Sequence, residues 1–261
     1  MKHIFIPSGG LANRVRVILS ALQWQKDYGQ KVSIWWHANP DLACRFEDIY
    51  MPVKEISEVG KTQGYLFRLV KKLSKMHLLP WRAVFDEMQY KAVNQYIKNY
   101  MGGGKIMCRT FSRFYEGAKP DYHQVFRLNA FMQQKVDEAQ QCILPTTIGV
   151  HIRRTDNVDS IRQSPLQAFE TKIDNYLKDY PAATFYLATD DQSVQQAFCK
   201  KYGKRIIVRK GTLARDSKEG IQHAVIELYT LAACQEIWGS YYSSFSELAA
   251  QIGNKKLTIV Q

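Results

Sequence analysis

Apolar and polar positions at the start of the chain follow first a strand period and then a helix period. Residues 2–7 form a predicted strand that stops at the glycine-rich residues 7–10. Residues 13–29 then place apolar side chains at helical spacing and end at Gly29, a typical helix C-cap. A further strand is predicted over residues 31–36. This order of strand, turn, helix and strand is that of one βαβ unit.

From residue 146 onward the alternation of strands and helices becomes regular. Such alternation predicts a parallel sheet that helices cover on both faces. We expect Ser164 to cap one of the helices, with Pro165 at its first position. The predicted strands cover residues 148–152, 184–189, 205–210, 236–241 and 256–261, and the predicted helices cover 164–180, 193–203, 218–234 and 245–253.

The middle of the chain is less regular. A domain boundary is expected near residue 145, which divides the chain into residues 1–145 and 146–261. The predicted fold class is α/β, with two Rossmann-like domains that face each other across a cleft. The remaining predicted elements are helices over 65–79, 84–100 and 121–142 and a strand over 105–111.

Composition narrows the class of partner. The 261 residues are 46% hydrophobic and 12% aromatic, which excludes a disordered or collagen-like chain. Lys and Arg number 36 against 24 Asp and Glu, so the net charge is +12. This balance indicates an anionic partner such as nucleic acid, a membrane surface or a phosphorylated substrate. The excess lies mainly in residues 1–145, which hold 21 basic and 12 acidic side chains.

The sequence contains no export or membrane signal that we can identify. No apolar run approaches the roughly 20 residues of a membrane helix, and the first ten residues lack the apolar core of a signal peptide. The five cysteines are widely spread and form no CxxC pair, which argues against a zinc ribbon or a disulfide framework. We therefore expect free thiols in a cytoplasmic protein.

Polar clusters follow four of the predicted strands. In a doubly wound sheet, ligands bind beyond the carboxyl ends of the strands, so these clusters are candidates for a binding site. They are SGGLANR at 8–14, HIRRTD at 151–156, ATDD at 188–191 and SYYSS at 240–244.

Two adjacent arginines make HIRRTD the most specific of the four clusters. Alternation along the strand turns His151 and Arg153 to one side and Arg154 to the other. One guanidinium can then fork onto phosphate oxygens while the other pairs with a carboxylate. The alternative is an ion-pair cluster with the nearby aspartates and no ligand.

The other clusters also have purely structural interpretations. The glycines at 9–10 can present helix amides to an anion or can simply form a tight turn. Asp191 or Ser193 can cap the next helix, and Ser244 with Glu247 matches a capping box.

No metal site is expected, because the chain has no DxD, no HExxH and no Cys/His cluster with ligand spacing. Glu227 interrupts an apolar helix, where a buried acid must be paired or used, for example by a purine ring N–H.

Taken in order, SGGLANR, GVHIRRTD, FYLATDD, VIELYTLA and SYYSSFSELA resemble the α1,6-fucosyltransferase and nodulation-fucosyltransferase group, and more distantly the protein O-fucosyltransferases. The resemblance covers residues 146–261 and, before them, only SGGLANR. It implies a GT-B fold whose first domain lies on the acceptor side and whose second binds the donor. It also implies GDP-fucose as donor substrate, an inverting mechanism, and no metal or other cofactor.

The resemblance also implies roles for individual residues. His151 and Glu227 would contact guanine, and Arg153 would bind the β-phosphate with support from Arg154. The aspartates of ATDD would organise the arginines and the donor pocket. The catalytic candidates are Arg153, Arg154, Asp156 and Asp159, and the donor-binding candidates are Gly10, Ala12, Asn13, Arg14, His151, Asp190, Asp191, Glu227, Ser243 and Ser244.

Several positions depart from the family pattern. Asn157 stands where the eukaryotic α1,6 enzymes have Lys, and Asp159 corresponds only loosely to their catalytic Glu. Glu227 replaces an Asp, and Phe245 replaces a Gln. The identity of a catalytic base is therefore open.

The predicted function is metal-independent transfer of fucose from GDP-fucose to a glycan, either a surface polysaccharide or a lipid-linked oligosaccharide. The alternatives are transfer from another GDP-sugar, or a basic protein that binds nucleotides or nucleic acid without catalysis. We expect no nucleic-acid partner, because the basic residues match no recognised motif. The basic helix predicted over 65–79 is either an ordinary surface helix or a peripheral contact with an anionic inner membrane face.

Overall fold

A computed structural model gives the fold and divides the chain into two compact units. One unit comprises Met1–Asn129 with Arg215–Lys218, and the other comprises Ala130–Ala214 with Glu219–Gln261. The structure describes residues 2–60, 69, 72–73, 81–86 (backbone), 105–115, 117, 121–155, 158–214 and 216–261.

The first unit is built on a parallel sheet with strand order β3-β2-β1-β5-β4. The hydrophobic core of this unit is formed around β1 and the helix that follows it. Phe5 stacks on Phe114 with ring centroids 4.5 Å apart, and Trp24 and Trp36 are fully buried. The elements are β1 (His3–Pro7), α1 (Leu11–Tyr28), β2 (Val32–Trp36), β3 (Ile56–Glu58), β4 (Trp81–Asp86), β5 (Lys105–Thr110) and α2 (Tyr122–Val125), with a 3-10 turn at Phe46–Asp48.

The second unit carries a parallel sheet with strand order β8-β7-β6-β9-β10. The strands of its centre are buried along their whole length, as a sheet covered on both faces requires. Its elements are α3 (Ala130–Gln140), β6 (Ile148–Ile152), α4 (Val158–Gln163), α5 (Leu166–Asp179), β7 (Phe185–Thr189), α6 (Gln192–Tyr202), β8 (Ile206–Ile207), α7 (Lys218–Ala233), β9 (Ile237–Ser240), α8 (Ser244–Gly253) and β10 (Leu257–Val260).

The strand order of the second sheet has a consequence for ligand binding. Read from β8, the strands run third, second, first, fourth, fifth within this unit, which is the Rossmann order without its sixth strand. The order reverses between β6 and β9, and the carboxyl ends of strands at such a switch point flank a crevice. The first sheet reverses in the same way between β1 and β5.

Most predicted elements of the second half are confirmed, and Gly29 caps α1 in the left-handed conformation with φ 62°. The strand predicted over 205–210 is shorter, because only Ile206–Ile207 pairs with β7. The helix predicted to begin at residue 84 is wrong there, because residues 84–86 belong to β4. The remainder of that segment, and nearly all of 65–79, lies outside the described residues.

The single helix predicted over 121–142 is also wrong, because it is divided into α2 and α3. The interruption has a tertiary cause. Met51 N–H donates to Arg127 O at 2.7 Å, and Leu128 forms an antiparallel bridge with Tyr50. Backbone groups bonded to another segment cannot join a helical ladder.

Candidate functional site

The four polar clusters all lie at carboxyl ends of strands, as predicted. SGGLANR follows β1, HIRRTD spans the end of β6, ATDD ends β7, and SYYSS follows β9. In the second unit, β6 pairs with both β7 and β9, so the last three clusters converge on the switch point.

His151, near the end of β6, is held from the side of β9. Its Nδ1 lies 3.3 Å from Ser243 Oγ, and its ring stacks on Phe245 with centroids 4.9 Å apart. Ser240 Oγ donates to the His151 carbonyl at 3.4 Å and accepts from Arg153 N–H at 3.0 Å. The imidazole is therefore fixed in a polar setting although it is buried.

Asp190, at the end of β7, organises the arginine segment from the other side. Its Oδ1 accepts from Arg154 N–H at 2.7 Å, and its Oδ2 accepts from Thr155 Oγ1 at 2.7 Å. The same Oδ2 lies 3.8 Å from Arg153 Nη1, and that side chain is one-fifth exposed. The carboxylate thus holds the backbone of the segment and faces a guanidinium that is still accessible to solvent.

Arg154 turns away from Arg153, as strand alternation predicted. Its Nη2 donates to Ser164 O at 2.7 Å, and its Nη1 donates to Ile161 O at 3.3 Å. Burial lowers the pKa of Arg154 below its ordinary value, and the charges of Asp190 and Asp191 offset only part of this shift. This guanidinium therefore connects the end of β6 to α4 and to Ser164.

Ser164 has a different position from the predicted one. Pro165 is the N-cap of α5 and Leu166 is its first residue, so Ser164 does not cap the helix. Its Oγ donates to Val260 O and accepts from Tyr241 N–H at 2.7 Å. Ser164 therefore connects the ends of β9 and β10 to the segment that Arg154 binds.

The two aspartates of ATDD have separate tasks. Asp191 is the N-cap of α6, and its Oδ1 accepts from Ser193 N–H at 2.8 Å and from Val194 N–H at 3.4 Å. The Ser193 hydroxyl, which donates to the same Oδ1 at 2.6 Å, and then these backbone bonds hold the pKa of Asp191 below its ordinary value. The capping interpretation is confirmed for Asp191, which leaves Asp190 to organise the arginines.

Of the two acidic candidates in the next segment, Asp159 makes no contact with the switch point within the described residues. Asp159 lies in the first turn of the short helix α4 and pairs with Arg162 at 3.0 Å, with a side chain that is 65% exposed. Asp156 lies outside the described residues.

The serines after β9 stand at the start of α8. Ser243 is the N-cap residue without a side-chain cap bond, and Ser244 is the first helical residue. The predicted capping box from Ser244 to Glu247 is therefore wrong, since the box requires its serine at the N-cap. Ser243 faces His151 instead.

Glu227 lies on α7 and is buried, as the apolar pattern around it predicted. Burial, followed by the influence of Asp190, raises its pKa to about 8, and Arg209 opposes the shift. His223, one helical turn earlier, lies 3.7 Å from Glu227 Oε1 and accepts from Arg209 Nε at 3.3 Å. Sequence reasoning missed both residues. Arg209 lay in the strand predicted over 205–210 and His223 in the helix predicted over 218–234, and neither local pattern indicates a contact between them.

The glycine turn of the first unit leads directly into α1. Gly9 has φ +72°, a conformation that favours glycine, and Gly10 is the N-cap without a side-chain bond. Ala12 is buried, and the Asn13 side chain lies against Gly9. The helix therefore begins with amides that no side chain caps.

The prediction that Arg14 contacts the ligand is wrong. Its guanidinium is completely buried and donates to Gly9 O at 2.8 Å, to His37 O at 2.6 Å and to Asn39 Oδ1 at 2.7 Å. It also lies 4.9 Å from the centroid of the Trp36 ring. Burial lowers its pKa to about 10. Arg14 thus supports the turn from inside and presents no cation to a ligand.

Within the part of the chain that the structure describes, no group of three or more His, Cys, Asp or Glu side chains could hold a metal ion. In the same part, no helix is long and apolar enough to cross a membrane.

Solved fucosyltransferase structures match the chain over nearly its whole length. NodZ α-1,6-fucosyltransferase, soaked with GDP-fucose, has a TM-score of 0.65 at 14% identity, and the match covers 97% of this chain and 93% of NodZ. The fold is that of these fucosyltransferases. A mutant of Arabidopsis thaliana FUT1 in complex with GDP has a TM-score of 0.64 at 12% identity, covering 99% of this chain and 69% of FUT1.

Among the fucosyltransferase folds, POFUT1 in complex with GDP-fucose is more distant, with a TM-score of 0.53 at 10% identity over 99% of this chain and 97% of POFUT1. No protein-family model and no curated protein matches the sequence. The predicted GT-B type of fold is confirmed, and so is the resemblance to the fucosyltransferases at the level of the fold.

Proposed function

We propose that the protein is a glycosyltransferase that moves fucose from GDP-fucose to a glycan acceptor with inversion at the sugar carbon. The observation that carries the proposal is the accessible Arg153 guanidinium at the switch point of a Rossmann-ordered sheet, with Asp190 beside it. The fold supports it, because NodZ and POFUT1 with this fold have been solved with GDP-fucose.

The diphosphate is the natural ligand of the arginine segment. As the bond from fucose to GDP breaks, the β-phosphate gains negative charge, and a fixed guanidinium stabilises that charge without reorganisation. In our proposal Arg153 supplies this cation. The uncapped amides at the start of α8, beside Ser243 and Ser244, add a positive helix terminus on the same strand edge.

The base of the nucleotide is assigned to the buried side of the same edge. His151 would contact the guanine from β6, and Glu227 would accept hydrogen bonds from the ring N–H donors. A buried carboxylate is suited to this, because its two oxygens can accept several hydrogen bonds and Oε1 has none in the described structure. Gly10, Ala12 and Asn13 stay predictions for donor binding, as do Asp156 and Asp159 for catalysis.

The acceptor and the location in the cell are also proposals. We propose a surface polysaccharide or a lipid-linked oligosaccharide as acceptor, with the protein in the cytoplasm. The net charge of +12 supports a peripheral position at an anionic inner membrane face, where a lipid-linked glycan would be available.

The proposal is tested first by titrating the protein with GDP and then by assaying release of GDP from GDP-fucose. Arg153→Ala should fold normally and lose activity by a factor of about 10² or more, as expected for removal of a fixed transition-state contact. Arg205→Ala is the matched control, because this exposed arginine bonds only to Pro181 O at the far end of α5 in the described structure. No GDP binding by the wild type, or full activity of Arg153→Ala, would overturn the proposal.

Metal independence has its own test. The arginine and helix-terminus contacts replace the role of a divalent cation, so EDTA should leave transfer rates unchanged. Complete loss of activity that Mn²⁺ restores would contradict this part of the proposal.

A further inference from the structure

Three buried polar atoms without a hydrogen bond in the described structure belong to neighbouring side chains of β7 and α7. They are Tyr186 Oη, His223 Nε2 and Glu227 Oε1. His223 and Glu227 are both more than nine-tenths buried. Buried polar groups are nearly always hydrogen-bonded, so an unsatisfied cluster indicates a missing partner.

The contacts of His223 determine which of its nitrogens carries the proton. Arg209 Nε donates to His223 Nδ1, and a guanidinium can only donate. Nδ1 is therefore the acceptor, and the proton of the neutral ring lies on Nε2, which is 3.7 Å from Glu227 Oε1. Burial lowers the pKa of His223 to about 4, so the ring is neutral near pH 7 and forms no ion pair with Glu227.

The position of the ring is also fixed by the chain that passes it. A Cβ at Gly211 would lie 2.2 Å from His223 Nδ1, so only glycine allows the backbone this close to the imidazole. Together with the Arg209 bond, this contact keeps the Nε2–H directed towards Glu227.

Glu227 lies at the level of the switch point. A Cβ at Gly149, in β6, would lie 3.1 Å from Leu231 Cδ2, which places Leu231 beside Gly149. Glu227 is four helical residues, about 6 Å, before Leu231, and His151 is two strand residues, about 6.6 Å, after Gly149. The helix α7 runs antiparallel to the strands it connects. Glu227 and His151 therefore lie at a similar distance along the strand direction, both near the carboxyl edge of the sheet.

We propose that His223 is a positioning residue for nucleobase recognition: its Nε2–H holds Oε1 of Glu227 and directs the carboxylate towards the ring N–H donors of a guanine-type base. This inference rests on the proposed function. The 3.7 Å separation closes to a hydrogen bond when the ligand is bound, since such contacts are often long in the free protein.

A proton must leave when the base binds. The free Glu227 carboxyl is largely protonated near pH 7, because burial raises its pKa to about 8. Ring N–H donors and His223 Nε2–H favour the carboxylate, so the carboxyl proton passes to the solvent buffer on binding. The groups that face Glu227 are His223 on its own helix, Tyr186 and Asp190 from β7, and Arg209 from the loop after β8.

The experiment compares wild type, His223→Leu and His223→Gln by calorimetric titration with GDP, IDP and ADP between pH 6 and 9. Glutamine keeps a donor close to the position of Nε2, whereas leucine keeps only the bulk. We expect His223→Leu to bind GDP about tenfold more weakly, as for loss of one hydrogen bond to a charged group. We also expect it to discriminate less against ADP and to reach full affinity only at higher pH. His223→Gln should restore all three properties.

The outcomes separate the inference from the proposed function. Failure of the wild type to bind GDP overturns both. Normal GDP binding by the wild type, with the same affinity and pH profile in folded His223→Leu, overturns only the role of His223. Equal losses in His223→Leu and His223→Gln also overturn it, because a packing role would not distinguish a donor from an apolar group.

Discussion

The adjacent carboxylates Asp190 and Asp191 allow a sharp test of the site, because truncating each should affect a different property. Asp190→Ala removes the acceptor of Arg154 N–H and of Thr155 Oγ1 and takes away the charge facing Arg153. Asp191→Ala removes the cap of α6.

The expected magnitudes follow from these contacts. Each of the two 2.7 Å bonds to Asp190 joins a charged acceptor, which is worth about 1.5–3 kcal/mol when solvent cannot replace it. The Asp190 side chain is 17% exposed and Thr155 is exposed, so water replaces part of the lost hydrogen bonding. We therefore expect Asp190→Ala to make the folded arrangement of the arginine segment less stable by about 2 kcal/mol. If ligand binding must restore the segment, this corresponds to GDP affinity lower by a factor of about 30. Loss of the Asp191 cap should cost about 1 kcal/mol of folding stability.

The assay is urea unfolding and GDP titration of both variants. Asp191→Ala should shift the unfolding midpoint and leave GDP affinity within about twofold of the wild type. Asp190→Ala should weaken GDP binding much more than that. Unchanged GDP affinity in Asp190→Ala, or a larger loss in Asp191→Ala, would refute the division of roles between the two aspartates.

Three further predictions concern stability. Arg14→Met should cost about 3 kcal/mol in urea unfolding, since three partly buried acceptors lose their donor; a neutral substitution would contradict the supporting role. Glu227 holds a proton in the folded state that the unfolded chain releases above its ordinary pKa of 4.5. The wild type should therefore lose stability relative to Glu227→Gln as the pH rises towards 8, by at most about 1.4 kcal/mol per pH unit. Parallel stability profiles of the two proteins against pH would disprove this. Gly253→Ala would place a Cβ 2.0 Å from Ala232 O and should destabilise by about 2 kcal/mol, whereas Gly10→Ala, with no atom within 4 Å, should unfold at nearly the wild-type urea concentration.

The resemblance to fucosyltransferases and the order of strands and helices in the second half could be predicted from the sequence, because both depend on local patterns. Buried strands such as IGVHI and FYLAT are continuous apolar runs, and polar residues that follow them reach a sheet edge whatever the rest of the chain does. His151, Arg153 and Asp190 were predicted in this way, and the structure places them at this edge.

Side-chain roles were decided by contacts between segments far apart in the sequence. The two aspartates of ATDD cannot be told apart from the sequence. Only the position of β6 beside β7 makes Asp190 the acceptor of Arg154 N–H. The sequence predicted Arg14 as a ligand-binding cation, but in the fold its guanidinium donates to backbone carbonyls just after β1 and β2.

The range of an interaction along the chain explains why some of these features were predictable and others were not. Helix and strand periods reflect each residue's neighbours in the chain, so α7 was predictable, as was its out-of-pattern acid Glu227. The proton on His223 Nε2 depends on Arg209, fourteen residues earlier in a segment that the local pattern predicted as a strand, and on the close approach of Gly211. Only the folded chain brings these groups together in a setting without water, where one hydrogen bond determines the tautomer and burial determines the charge.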